Sequence, residues 1–396
     1  MKIVVFILLI CSHSVLLAQN WQRVFGAPNV VSSAFFNNEN EGCIGTEFYN
    51  INSPAQIYHT TDGGKSWTRS VLPNPKLTGQ IMDIFFRDRF NGWAAIKNET
   101  ETGWTGVYKT NDGGRSWSFV YQALYPTCIR ETSRGIFVAD RLTGILRSTD
   151  GGKTFVTVKA FGGALGIDFL DNNIGIHSGE SMINSPIMVT VDGGTTWQDV
   201  AFDREAWTPF ADPINKRMFY ASERDNTWPP TESTIGMTTN NGGTFTNPQY
   251  FPGNGITGGM SGSRVCRSVI YVQGQDTLPG KVKGLFRSVD NGTTWKNVGG
   301  PSNYNDTRFA VTGRGAVVYA FDKAGGVWKT TNGGDGLLSS SVKSSFLLIP
   351  PTLKTAANLC DSATIRIPLR YSGCEFIRVS NAKPCRRTWR AHSRLW

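Results

Sequence analysis

Five aspartates recur in one local pattern, and their carboxylates are the groups in this chain that most readily suggest acid–base chemistry. They are Asp62, Asp112, Asp150, Asp192 and Asp290, and Asn240 and Asn332 hold the same place in two further copies. A pair of carboxylates can hydrolyse a glycosidic bond, one as acid and the other as base or nucleophile. A catalytic pair occupies one place in a fold, whereas these residues recur in every copy. The repetition favours a structural role, because Asp and Asn start tight turns by accepting hydrogen bonds from nearby backbone N–H groups.

Each of these residues is the third in an eight-residue motif, which reads Thr-Thr-Asp-Gly-Gly-Lys-Ser-Trp at residues 60–67. The aromatic eighth residues are Trp67, Trp117, Phe155, Trp197, Phe245 and Trp295, and the seventh copy has lost its aromatic residue. The glycines allow positive φ in the turn, and the β-branched and aromatic residues favour the start of a strand. The motif therefore predicts a hairpin. Its aromatic ring is expected in the core, and stacking on a sugar is the less favoured interpretation.

The spacing of the motifs predicts the architecture. Successive third residues are 50, 38, 42, 48, 50 and 42 positions apart, which is the length of a four-stranded propeller blade. Short apolar or alternating runs, typical of strands, precede the motifs. Those before the second and fourth copies are 81–86, 92–96, 106–109, 165–169, 174–176 and 186–189. The prediction is an all-β, seven-bladed β-propeller over residues 19–336, without helices of useful length.

The start of the propeller is predicted to complete its last blade. The segment Asn-Trp-Gln-Arg-Val at residues 20–24 is similar to the strands that follow the fourth and sixth motifs, at 197–200 and 295–298. Since the seventh motif lacks its aromatic residue and the strand after it, Trp21 and its neighbours are expected to supply that strand. This arrangement would remove an exposed sheet edge.

The motif resembles the Asp-box, or bacterial neuraminidase repeat, S/T-x-D-x-G-x-T-W/F. Proteins with this repeat include sialidases, xyloglucanases, the sortilin luminal domain and the photosystem II assembly factor group. The resemblance covers residues 60–336 and implies a propeller of sialidase-superfamily architecture. It also implies that each box joins the third and fourth strands of a blade, on the face opposite the known active sites.

Ligand-binding candidates are therefore expected in the loops of the other face, which differ from blade to blade. Loops that combine charged and aromatic residues suit carbohydrate or peptide binding, although solvated loops with incidental aromatic residues are the plain alternative. The candidates are Glu99, Glu101, Trp104, Trp207, Glu223, Arg224, Asp225, Trp228, Tyr304 and Asp306. The segment 223–230 stands out, because Pro229 and Pro230 would stiffen it.

A sialidase-type glycoside hydrolase is the enzymatic alternative. The resemblance would then require three arginines that hold the substrate carboxylate, a Tyr–Glu pair, an acidic proton donor and an Arg-Ile-Pro motif ahead of the first box. Arg-Ile-Pro occurs once, at residues 366–368, after the last box. A xyloglucanase would need two propellers. The leading expectation is therefore a non-catalytic binding or assembly protein, similar to the sortilin and assembly-factor members, with a protein, peptide or glycan as partner.

The ends of the chain suggest export and a second region. A basic start and a short apolar run over residues 1–18 predict a secretory signal peptide, with a lipoprotein site at Cys11 as the alternative. The protein is then expected to be secreted, periplasmic or at the cell surface, without a transmembrane segment after signal removal. Residues 337–357 are expected to be a linker. Residues 358–396 are expected to begin a β-sandwich-like domain that is truncated or frame-shifted, or that ends in a genuine basic tail.

Charge and cysteine content exclude some functions. The net charge is +10, but Lys383 and four arginines among the last 14 residues contribute half of it, so the body gives no reason to expect nucleic-acid binding. The sequence contains no CxxC pair and no HExxH motif, and we expect neither a cofactor nor a metal site. Cys43, Cys128 and Cys266 are expected as small buried side chains, and export would permit a Cys360–Cys374 disulfide.

Overall fold

The computed structural model describes most of the propeller and one later hairpin. The described residues are 21–50, 52–100, 102–206, 209–223, 233–238, 240, 242–245, 249–250, 255–262, 269–275, 283–301, 304–312, 315–334, 368–371 and 374–377. Within them the chain forms a seven-bladed β-propeller, as predicted. The signal peptide and linker predictions lie outside the described residues.

The first strand, β1 (Gln22–Gly26), belongs to the last blade, and the next three blades follow in chain order. Blade 1 contains β2 (Val31–Phe36), β3 (Gly42–Thr46), β4 (Ile57–Thr60) and β5 (Thr68–Arg69). Blade 2 contains β6 (Gln80–Phe86), β7 (Gly92–Lys97), β8 (Gly106–Thr110) and β9 (Ser118–Gln122), with a short 3₁₀ turn at Thr102–Trp104. Blade 3 contains β10 (Pro126–Thr132), β11 (Gly135–Asp140), β12 (Gly144–Ser148) and β13 (Val156–Lys159).

The remaining blades follow the same antiparallel order, with one irregularity. Blade 4 contains β14 (Ala164–Phe169), β15 (Gly175–Thr190) and β16 (Gln198–Ala206). Blade 5 contains β17 (Phe210–Asp212), β18 (Arg217–Glu223), β19 (Ser233–Thr238) and β20 (Gln249–Tyr250). Blade 6 contains β21 (Gly255–Gly262), β22 (Ile270–Gln275), β23 (Lys283–Ser288) and β24 (Lys296–Asn297). Blade 7 contains β25 (Tyr304–Thr312), β26 (Val317–Asp322), β27 (Gly326–Thr330) and β1. Beyond the propeller, β28 (Pro368–Tyr371) pairs with β29 (Cys374–Ile377).

Blade 4 differs from the prediction. Apart from Ile174, the runs 174–176 and 186–189 belong to one continuous strand, β15, which pairs with β14 through its first residues and with β16 through the rest. The long β16 also pairs with β18 at its end, where Glu205 lies opposite Glu223, so that blades 4 and 5 share one sheet. The backbone pairing between blades 4 and 5 therefore forms strands in segments for which the polar residues had predicted loops.

A glycine at the start of the second strand allows the first hairpin of several blades to pack tightly. A Cβ atom on Gly92 would lie 2.7 Å from the ring of Phe86, the last residue of β6. The same conflict arises between Gly175 and Phe169 in blade 4. Real Cβ atoms do not approach other atoms so closely, so only glycine allows the preceding phenylalanine to pack over the backbone of its partner strand.

The ring closes as predicted. Strand β1 pairs antiparallel with β27, with Gln22 opposite Lys329 and Gly26 opposite Gly326. Trp21 is buried, and its indole N–H donates to the carbonyl oxygen of Val298 over 3.1 Å. The innermost strands of neighbouring blades contact one another, and β25 returns to contact β2. The apolar core lies between the blades, and Cys43 and Cys128 are buried in it, as expected.

Candidate functional site

The box aspartates are hydrogen-bond acceptors within their own turns. In the second box, Asp112 Oδ1 accepts from the backbone N–H of Ser116 over 3.0 Å, and Oδ2 accepts from the Ser116 hydroxyl. Thr110 donates to the same carboxylate and accepts from the Gly114 N–H. Asp62 is held in the same way, and hydrogen bonds from the hydroxyl and backbone N–H of Ser66 lower its pKa to about 2. The geometry gives these carboxylates a part in folding the turn.

The boxes define one face of the ring. The boxes of blades 1, 2, 3, 5 and 6 join the third and fourth strands, the box of blade 4 joins β15 to β16, and the box of blade 7 follows its third strand, β27. The turns between the first and second strands lie beside the boxes. The Gly63 N–H donates to the Asn40 carbonyl over 2.8 Å, and the Gly113 N–H donates to the Phe90 carbonyl over 3.0 Å. We call this the box face. Because strands in a blade are antiparallel, the loops between second and third strands and the connections between blades lie on the opposite side, the open face.

Two of the predicted binding residues can be placed in the loop 98–105 of the open face. Glu99 is exposed there. Trp104 is half-buried, because its ring packs edge-on against Phe119 at 5.8 Å and its carbonyl oxygen accepts from the Tyr108 hydroxyl. Trp104 therefore contributes mainly to the packing of blade 2.

The other predicted candidates fall in strands or outside the described residues. Glu223 is the last residue of β18, where it pairs with Glu205 and Ser233. Tyr304 and Asp306 were expected in a loop, but they belong to β25, because Tyr304 pairs with Asp322 across the blade. Those outside the described residues are Glu101, Trp207, Arg224, Asp225 and Trp228.

A buried aspartate joins two loops of the open face between blades 2 and 3. The carboxylate of Asp140 accepts four backbone hydrogen bonds, from Leu124 and Tyr125 over 3.0 and 2.7 Å and from Leu142 and Thr143 over 3.0 Å each. One pair of donors lies in the connection between the blades and the other in the turn between β11 and β12. A single side chain therefore holds both loops in one geometry.

Two cations and two leucines surround the tyrosine of this loop pair. The ammonium of Lys97 and the guanidinium of Arg141 lie over the Tyr125 ring, 5.4 and 5.7 Å from its centroid. Leu124 is 58% exposed and Leu142 is 62% exposed. We call Lys97, Leu124, Tyr125, Arg141 and Leu142 the Tyr125 patch. The patch was not identified from the sequence, because binding residues were expected in long loops and residues 141–143 form a short turn. The only local signal is Asp140, which precedes that turn.

The wall of the central channel carries a second charged group, which is internally paired. Arg130 on β10 donates to Asp83 of blade 2 over 2.6 Å and to Asp168 of blade 4 over 3.4 Å, and it lies over the Phe85 ring. Asp168 also accepts from the Ala211 N–H of blade 5 over 2.8 Å. The group thus links four successive blades. Both carboxylates are engaged by Arg130, an arrangement suited to holding the blades together.

The described part of the chain contains neither a metal-ligand cluster nor a helix that could span a membrane. No group of three or more His, Cys, Asp or Glu side chains there is arranged to hold a metal ion. Within the same residues, no helix has the length and apolar character that crossing a membrane requires.

Comparisons with known proteins agree with the architecture. Residues 36–160, which include blades 2 and 3 and blade 1 from the end of β2 onwards, match the family model of the photosynthesis system II assembly factor YCF48. No curated protein sequence matches the chain. The predicted resemblance to Asp-box propellers of the assembly-factor type is confirmed by the family match and by similar solved structures.

Three solved structures illustrate the similarity. YCF48 bound to D1 peptide is 14% identical, with a TM-score of 0.56 over 79% of this chain and 97% of that one. YCF48 from Cyanidioschyzon merolae is 12% identical, with a TM-score of 0.54 over 78% and 98%. The GH74 xyloglucanase from Xanthomonas campestris is 14% identical, with a TM-score of 0.57 over 79% of this chain but only 53% of the enzyme. At these identities the structures show a common fold.

Proposed function

We propose that this chain is a non-catalytic binding or assembly protein that uses its open face to hold a protein or peptide partner outside the cytoplasm. The observation that carries the proposal is the Tyr125 patch, where exposed leucines lie beside two cations on loops fixed by Asp140. Exposed apolar side chains rimmed by charge are typical of protein-binding surfaces. The patch lies inside residues 36–160, the span that matches the assembly-factor family model.

Two further points support the proposal. A propeller of the same fold, YCF48, has been solved with a bound D1 peptide. A location outside the cytoplasm is supported by the signal-like residues 1–18. A glycan partner is the competing possibility, and the sialidase-type hydrolase is less favoured because Arg130 engages both Asp83 and Asp168 in the channel wall.

The experiment compares the two faces with matched variants. Leu124→Asp/Leu142→Asp places two charges on the open face, and Val191→Asp/Val289→Asp does the same at exposed valines of the box face. Purified proteins with equal melting temperatures are applied to an unbiased peptide array and a glycan array, and are assayed on a fluorogenic sialoside. We expect the open-face variant to bind peptides at least about tenfold more weakly than the wild type. The box-face variant should bind them as tightly as the wild type.

Three results would contradict the proposal. Equal losses in both variants would show that the open face is not the binding surface. Binding confined to the glycan array would replace the peptide partner with a carbohydrate. Turnover of the sialoside by the wild-type protein would restore the hydrolase interpretation.

A further inference from the structure

We propose that a row of three glutamates makes the backbone pairing between blades 4 and 5 sensitive to pH. The row consists of Glu180 on β15, Glu205 on β16 and Glu223 on β18. Protonation of the row strengthens the pairing, and ionisation weakens it. Because the predicted binding segment 223–230 begins at Glu223, acidity controls how firmly the start of that segment is attached to blade 4.

The three glutamates occupy matching positions on three neighbouring antiparallel strands. Glu205 lies opposite Glu180 on one side and opposite Glu223 on the other. Residues directly opposite each other in such a sheet have Cβ atoms about 4.5–5.5 Å apart, and like charges in these positions destabilise the pairing. Glu205 therefore has a like charge on both sides when all three residues are ionised.

The pairing that this repulsion opposes is the one that joins the two blades. It consists of Glu205 opposite Glu223 and Ala206 opposite Ser222. In the part of the chain that the structure describes, the other propeller blades form separate four-stranded sheets, whereas blades 4 and 5 share one sheet. Because only two residue pairs form the connection, we expect it to open locally before the blades themselves unfold.

Within the described strands, no cation occupies a place in the row. Outside the row, the Asp, Glu, Lys, Arg and His residues on strands β15 to β21 are His177, Asp199, Asp203, Arg204, Asp212 and Arg217. Asp203 shares a face of the sheet with Glu205, since the two are two residues apart, and Arg204 lies on the other face. Arg217 begins β18, whereas Glu223 ends it. Negative charge is therefore concentrated around Glu205.

Mild acid strengthens the junction between the blades. Negative charges on both sides oppose the ionisation of Glu205, so the row takes up a proton more readily than an isolated glutamate does. The proton removes repulsion between the paired strands, and the pairing weakens again as the pH rises. Buried His177 acts in the opposite direction, because its pKa is lowered to about 3 and acid destabilises the folded protein as a whole. Stronger pairing in acid therefore cannot come from a general gain in stability.

Hydrogen exchange measured by mass spectrometry tests the proposal on fragments that cover residues 201–206 and 217–223. Protection factors, which are corrected for the intrinsic pH dependence of exchange, are compared at pH 5.0 and pH 7.5. The variant Glu205→Gln removes the central charge, and Glu180→Gln removes an outer charge. The control is Asp203→Asn, which removes a charge from the same strand at a position opposite Ser185.

We expect protection of these fragments in the wild type to be about threefold or more higher at pH 5.0 than at pH 7.5. Glu205→Gln should be equally protected at both pH values and, at pH 7.5, better protected than the wild type. Glu180→Gln should show a smaller pH dependence than the wild type, whereas Asp203→Asn should keep the full dependence.

Two results would overturn the proposal. One is a wild-type protein whose fragments are no better protected at pH 5.0 than at pH 7.5. The other is an equal loss of pH dependence in Asp203→Asn and Glu205→Gln, which would indicate a general response to the charge of β16. Neither result bears on peptide binding by the open face, which the variants at Leu124 and Leu142 test separately.

Discussion

At the residue scale, the box aspartate and its aromatic partner have separate structural roles. Asp112 accepts from Ser116 and Thr110, and Trp117 is buried with its indole N–H on the Gly114 carbonyl. Asparagine holds the aspartate position in the fifth box, where Asn240 Oδ1 accepts from the Thr244 N–H over 2.9 Å. The turn therefore needs an acceptor oxygen in this place, and a full negative charge is not essential.

We predict that Asp112→Ala lowers the free energy of unfolding by about 1–3 kcal/mol, because turn donors lose their acceptor. Trp117→Ala should lower it by about 3–5 kcal/mol by emptying a buried aromatic site. Asp112→Asn is the matched control and should lower the free energy of unfolding by less than Asp112→Ala does. Urea unfolding measures all three variants. An Asp112→Ala protein with wild-type stability and abolished peptide binding would refute the structural role.

A buried histidine gives the second residue-scale expectation. His177 lies between the rings of Phe161 and Trp197, at centroid distances of 4.9 and 6.4 Å. In the described part of the chain, its ring nitrogens and the Trp197 indole nitrogen have no hydrogen-bond partner, whereas Trp117 has one. Burial disfavours the charged imidazolium and lowers the His177 pKa to about 3.

This pKa predicts destabilisation in acid. The unfolded chain takes up a proton near pH 6.5, while the folded protein resists it until about pH 3. The stability linked to neutral His177 is therefore complete above pH 6.5 and is lost as the pH falls towards 3, by up to about 1.4 kcal/mol per pH unit. Between pH 7.5 and pH 5.0, the free energy of unfolding measured in urea should fall by about 2 kcal/mol more in the wild type than in His177→Phe. Identical pH dependence of the two proteins would disprove the assignment.

At the element scale, the third strands of blades 3, 6 and 7 each carry a cation that contacts the box of the next blade. The residue before the box Ser or Thr is a cation in four blades and lies opposite an aromatic residue of the second strand. These cross-strand pairs are Lys109 and Trp93, Arg147 and Phe137, Arg287 and Tyr271, and Lys329 and Tyr319. Arg147 donates to Thr195 over 3.3 Å, Arg287 to the Gly333 carbonyl over 3.0 Å, and Lys329 to the Gly63 carbonyl over 2.7 Å. The boxes of blades 4, 7 and 1 therefore each receive a cation from the preceding blade.

Lys329 tests this connection at the junction of blades 7 and 1. Its ammonium lies over the Tyr319 ring at 5.2 Å while it donates to Gly63. Lys329→Met should lower the free energy of unfolding by about 1–3 kcal/mol, because a charged donor is lost from a partly buried carbonyl. Lys329→Arg, which keeps the charge and donors, should retain most of the stability. Denaturant unfolding compares the variants. A Lys329→Met protein as stable as the wild type would show that Lys329 does not stabilise the contact between blades 7 and 1.

At the scale of the whole molecule, the ring depends on a strand from the other end of the propeller. Residues 22–26 pair with β27, and Trp21 packs with Val298 and Tyr271 between blades 6 and 7. Trp21 supplies in space the buried aromatic residue that the seventh box lacks in sequence. The stability of the propeller is therefore coupled to its N-terminal segment.

Deleting residues 19–26 should lower the melting temperature sharply and expose β27 to proteolysis, because the last blade would lose its outer strand. Gln22→Ala is the control, since this side chain is exposed and the substitution keeps the backbone pairing. Differential scanning calorimetry and limited proteolysis provide the measurements. A deletion variant with the same melting temperature as the wild type would show that closure of the ring does not need this strand.

The sequence alone determined the repeat, the number of blades, the side of each box and the closing strand. These features are visible because box hydrogen bonds join residues no more than four positions apart, as from Asp112 to Ser116, and because one pattern recurs at blade spacing. The same reasoning misjudged Tyr304 and Asp306, which belong to β25 and are held in a sheet by its pairing with β26.

Only the tertiary structure decided which side chains of the open face meet. Lys97, Tyr125 and Arg141 come from three separate segments, and no local pattern announces their contact. They come together because the blades pack side by side and Asp140 binds two loops that are distant along the chain. A hairpin is set by short-range hydrogen bonds that a sequence displays, whereas a binding surface depends on long-range packing, which appears only once the ring has closed.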